Sequence, residues 1–86
     1  MNTKPIAQVP LHKLLAKAQA TTGVNSFHAA CRLTEAEAIK LVAKYPKDGA
    51  LKAALVYVRQ ALRTKKVSMS HQFIKKAIET LEETYK

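Results

Sequence analysis

Residues 50–66 read ALKAALVYVRQALRTKK, and the spacing within them decides the fold class. Leu51, Leu55, Val58 and Leu62 follow one another at +4, +3 and +4, the interval that lines one face of an α-helix. At about 100° per residue, Lys52, Arg59, Arg63 and Lys66 fall in a second stripe roughly 60° wide beside the apolar one. One predicted helix therefore carries both the clearest core seam and the densest cationic surface.

Working outward, the same period returns on both sides. Towards the C-terminus, Phe73, Ile74, Ala77, Ile78, Leu81 and Tyr85 predict a helix over 70–85, with Ser68 and Ser70 as candidate caps behind Val67. On the other side, Lys47-Asp48-Gly49 makes a turn and Asp48 is the natural cap of the central helix. Pro46 closes a helix predicted over 35–45, whose apolar face is Ala36, Ile39, Val42 and Ala43. Thr34-Glu35-Ala36-Glu37 fits a capping box and starts that helix. A short helix over 26–33, capped by Asn25 or Ser26, precedes it. The first helix, 10–21, opens on Pro10, buries Leu11, Leu14, Leu15 and Ala18, and ends at Gly23 in a left-handed cap. Residues 1–9, with Pro5, read as an extended arm. Short connections favour antiparallel neighbours, so the expected architecture is an all-α antiparallel four-helix bundle in a single domain over 10–86, one helix being short and turn-like.

Composition supports that reading and narrows the partners. Of the apolar 48%, much is Ala, and only three Tyr and two Phe are aromatic. Small side chains bring helices close and leave little room for a ligand cavity. The net charge of +9 favours an anionic partner, whether nucleic acid, acidic headgroups or an acidic protein. It is also compatible with solvated lysine faces, because cations beside an apolar seam lay their stems over it and keep their heads in water. No acid interrupts the chain before Glu35, nor between Asp48 and Glu79. Cys31 is the lone cysteine, which rules out an internal disulfide and suits a reducing compartment. MNTKPIAQVP lacks the apolar core of a secretory signal, and no stretch reaches the ~20 apolar residues of a membrane span. The expectation is a cytosolic protein, with peripheral contact at the inner membrane face through charge.

Catalytic patterns are missing. His28 and Cys31 are three apart and can share a helix face, but a zinc site needs further ligands with suitable spacing. HExxH, GxxxxGK[ST] and GxGxxG do not occur, and the six acids suggest no paired carboxylates. The expected class is a non-enzymatic binding protein with no cofactor or metal. Helix, Gly-containing turn, helix over 35–66 has the outline of a helix-turn-helix, but its reading end, Ala50, Leu51, Lys52, Ala53 and Ala54, has a single side chain that could reach a base edge. Nonspecific phosphate contact through Lys52, Arg59, Arg63, Lys65 and Lys66 needs only charge and is the better nucleic-acid reading.

The run LVYVRQALRTKKVSMSHQFIKKAIETL, Leu55–Leu81, resembles the third and fourth helices of the immunity proteins for pediocin-like bacteriocins. In that family a long helix leads through a short basic K-[IV]-x-[FM]-[ST] connection into a closing amphipathic helix. Lys66-Val67-Ser68-Met69-Ser70 occupies the connection here. The resemblance implies a cytosolic bundle that protects a bacteriocin producer by recognising the bacteriocin on its membrane receptor, a sugar phosphotransferase permease. It further implies that specificity lies in the C-terminal half, which makes Lys65, Lys66, His71, Lys75 and Lys76 candidate contacts beside Arg59 and Arg63. A protein-protein interaction module is the remaining reading.

Overall fold

The computed structural model describes residues 9–83. Four helices, α1 (Val9–Ala20), α2 (Val24–Lys44), α3 (Gly49–Arg63) and α4 (Val67–Glu83), follow one another through connections of three or four residues. Each packs on the next, and α4 closes the ring on α1. The pairing of α1 and α4 is antiparallel: Gln19 meets His71 at one end and His12 meets Glu82 at the other. The all-α bundle expected from the periodicity is what forms. The predicted arm lies, apart from Val9, outside the described residues, as does Tyr85.

The central seam stands as expected. Leu51, Leu55 and Val58 are buried, joined by Ala54 and Ala61, while Leu62 is half-buried. Asp48 caps α3, accepting from the amides of Ala50 at 3.0 Å and Leu51 at 3.2 Å. Alanines at the α3–α4 contact let these two helices approach closely, with Ala54, Ala61 and Ala77 fully buried. Leu11, Leu15 and Ala18 of α1 and Ile74 and Leu81 of α4 complete the core, which extends without a break from end to end.

The predicted break at Thr34 does not occur. The segments expected over 26–33 and 35–45 are one 21-residue helix. The Thr34 hydroxyl donates to Ala30 O at 2.7 Å, satisfied inside the helix with no need to cap a new one. With no break, the buried face is phased from Phe27: Phe27, Cys31, Thr34, Ala38 and Leu41 form a +4, +3, +4, +3 seam. Ala36, Ile39 and Ala43, predicted to be inside, are exposed, and only Val42 keeps partial cover.

Helix ends differ in three further places. Gly23 is not a left-handed cap of α1. It has φ −79° and ψ 140° and is the N-cap of α2, its carbonyl accepting from Phe27 N at 2.7 Å. Thr21 ends α1 instead, by returning its amide to Ala18 O and its hydroxyl to Lys17 O. Asn25 and Ser26 consequently lie inside the first turn of α2, which has no side-chain cap. At the other connection, α3 stops at Arg63, because both the amide and the hydroxyl of extended Thr64 bond Gln60 O. Lys66 thus lies off the α3 stripe. α4 then starts at Val67, three residues early, which leaves Ser70 buried within the bundle.

Candidate functional site

The seven residues singled out by sequence occupy the last two turns of α3, the connection, and the stretch of α4 up to its middle. Arg63, Lys65 and Lys66 are exposed where α3 gives way to α4. Arg59, one turn earlier, is exposed too, but its Nε is 3.4 Å from Glu35 Oε2 on α2. Lys75 and Lys76 are exposed and, as sequence neighbours, sit about 100° apart on α4. Lys75, one turn after His71, lies nearer the flank that meets α1, and Lys76 falls on the other flank. His71 turns inward. Its ring stacks on Phe27 with centroids 4.0 Å apart and 24° between planes, and its Nδ1 is 3.2 Å from Gln19 Oε1. The structure therefore brings Arg63, Lys65 and Lys66 together, spreads the remaining cations around the bundle, and commits His71 to packing.

The topology adds what spacing along one helix does not reveal. The contacts from Gln19 and Phe27 to His71, and from Ser70 to Ala61, put the end of α1, the start of α2, the end of α3 and the start of α4 at one end of the bundle. The two acid-free stretches of the chain thus fold onto each other. α1 and α3 contain no carboxylate, and α2 and α4 have none before Glu35 and Glu79. Eleven residues of helix put Glu35 about 17 Å along α2 from its start, but its 3.4 Å contact with Arg59 sets it beside α3 one turn, about 6 Å, before Arg63. A ligand at this end meets Lys17, Arg63, Lys65 and Lys66, with the Glu35 carboxylate one turn behind them paired to Arg59. The first amides of α2, free of any side-chain cap, add the positive end of a helix dipole. At the other end lie Asp48, Glu82 and Glu83, with Glu82 Oε2 3.4 Å from His12 Nε2. That contact supplies a partner for a carboxylate placed against the α4 dipole.

Side chains with nucleophilic or ligating chemistry are not assembled. Cys31 is fully buried and burial pushes its thiol up to about 11, so it stays protonated at neutral pH. His28 buries its Nε2 without a hydrogen-bond partner among the described residues. Among those residues no three of His, Cys, Asp and Glu gather where they could hold a metal ion. A shallow groove of about 420 Å³ lies over Lys44, Tyr45, Pro46, Lys47 and Asp48. All five belong to one turn, no second element contributes a converging polar group, and the Asp48 carboxylate is engaged in capping α3. No helix among the described residues is long and apolar enough to cross a membrane.

No protein-family model matches the chain, and no curated protein or solved structure matches it significantly.

Proposed function

We propose that this is a non-catalytic binding protein that engages an anionic partner through the cationic end of its bundle, and that its role is immunity to a pediocin-like bacteriocin. The observation that carries the binding reading is the grouping of Arg63, Lys65 and Lys66 at an end where, among the described residues, neither the helix termini nor the connections carry a carboxylate. The immunity role is supported by the resemblance over Leu55–Leu81, whose basic connection falls at that same place. In this reading the protein recognises the bacteriocin on its sugar phosphotransferase permease and blocks the lethal pore. Expression in a sensitive strain is expected to confer resistance to a matching bacteriocin, and Lys65→Gln with Lys66→Gln to abolish it. Unchanged sensitivity across a broad bacteriocin panel excludes the role.

The same grouped charge favours one second reading, nonspecific contact with a nucleic-acid backbone. Titration of duplex DNA separates the two, because phosphate contact alone gives an affinity that falls steeply with added salt.

A further inference from the structure

Two of the large apolar side chains left exposed stand inside the cationic end. Val24, the first residue of α2, is 52% exposed, and Met69, in the first turn of α4, is 47% exposed. α3 packs against both α2 and α4, so its C-terminal connection, Thr64-Lys65-Lys66, lies at the same end of the bundle as these two side chains. Neither is needed by the core, whose apolar faces are already covered. Cations and isolated apolar side chains together, at helix termini and connections that carry no carboxylate among the described residues, are complementary to one kind of surface: anionic headgroups over a hydrocarbon interior. A nucleic acid offers the charge but nothing to Val24 or Met69, and the rings described near this end, His28, His71 and Phe73, are half-buried and give a base no open face to stack on. Twelve of the fifteen cations are Lys, which acts as a point charge and not as the bidentate fork of specific phosphate recognition.

We infer that the protein docks end-on to an anionic phospholipid bilayer. Arg63, Lys65 and Lys66 lie among the headgroups, and Val24 and Met69 reach the boundary of the acyl region. This rests on the assignment of the same end as the binding surface and names the partner. End-on docking follows from the packing, because the apolar seam of every helix is turned into the bundle, and the other exposed large apolar side chains, Leu33, Ile39 and Val56, lie in the middle stretches of α2 and α3 away from the cationic connection. The helices stand up from the membrane and do not lie in it.

Co-sedimentation of the full chain with vesicles tests this. Vesicles of phosphatidylcholine mixed with phosphatidylglycerol are expected to retain the protein, and vesicles of phosphatidylcholine alone to release it. Lys65→Gln with Lys66→Gln should weaken retention by about tenfold or more, each cation near an anionic surface contributing roughly fivefold. Val24→Ser with Met69→Ser, at exposed positions and unchanged charge, should weaken it severalfold. Lys44→Gln with Lys47→Gln, at the far end, should leave it nearly unchanged. Equal retention on both vesicle types overturns the inference. So does a loss no larger for the Lys65/Lys66 pair than for the Lys44/Lys47 pair, or full retention by the Val24/Met69 variant. Tighter binding to duplex DNA, insensitive to Met69→Ser, assigns the end to nucleic acid and overturns it as well. The two proposals fail separately. Vesicle binding by a protein that protects no strain leaves the docking and removes the immunity role. Protection that requires Lys65 and Lys66 in a protein indifferent to vesicles keeps the binding end and removes lipid as its partner.

Discussion

Ser70 donates its hydroxyl to Ala61 O at 2.8 Å from a position with no solvent exposure. Ala61 lies in the last turn of α3, beyond the reach of the helix's own amides, so its carbonyl depends on a partner from outside. A serine of one helix thus caps the end of another. Ser70→Ala leaves that carbonyl buried and unsatisfied and is expected to cost about 1–3 kcal/mol in urea unfolding. Ser68→Ala, two residues away and exposed, should stay within about 0.5 kcal/mol. Cys31 makes a second prediction at this scale. Its folded pKa is raised from 9.0 to about 11 by burial, so above pH 9 the unfolded chain loses a proton that the folded chain retains. The stabilisation is fully present below pH 9 and is lost as pH rises towards 11. It amounts to something on the order of 2 kcal/mol. Urea midpoints across that window should fall for the native sequence and fall less for Cys31→Ala.

At the scale of elements, α2 shows where local signals are outvoted. Thr34-Glu35-Ala36-Glu37 is a good start signal, yet the apolar seam from Phe27 to Leu41 runs through it without losing phase. Burial of that seam outweighs a cap worth about 1 kcal/mol. The two arrangements respond oppositely to proline. In a helix starting after Thr34, proline at position 35 would occupy the favoured first site. Within a continuous helix it removes a hydrogen bond and clashes with the preceding turn. Glu35→Pro is therefore expected to cost about 3 kcal/mol or more, and Glu35→Gln, which removes only an exposed pair with Arg59, under about 1 kcal/mol. Thermal unfolding of the two variants is the check. The contrast explains what was legible beforehand. α3 is bounded by Asp48 and by Pro46 before it, features that act within a few residues, and its seam was readable directly. The phase of α2, the three-residue advance of α4 and the inward turn of His71 depend on partners distant in sequence: Ala61 for Ser70, Phe27 and Gln19 for His71. The candidate site divides in the same way. Arg63, Lys65 and Lys66 are adjacent in the chain and were visible as a basic corner. Lys17 joins them only through the antiparallel pairing of α1 with α4.

Across the whole molecule the charge is distributed against stability. No helix has an acidic residue in its first turn, although a carboxylate there is favourable with the helix dipole. α2 and α4 begin at the cationic end, where added acids would also relieve repulsion in a chain of net charge +9. Asn25 and Ser68 are exposed in those first turns, so an acid at either position disturbs no packing. Asn25→Asp and Ser68→Asp should each stabilise the fold by about 0.3–1 kcal/mol, an effect that shrinks with added salt. If this end is a binding surface, the same substitutions weaken retention on phosphatidylglycerol vesicles while the protein becomes harder to unfold. Urea midpoints and vesicle partitioning measured on the double variant decide the matter. Opposite movement of stability and binding ties the missing acids to an anionic partner. Stabilisation with undiminished binding means that the partner is held elsewhere on the bundle.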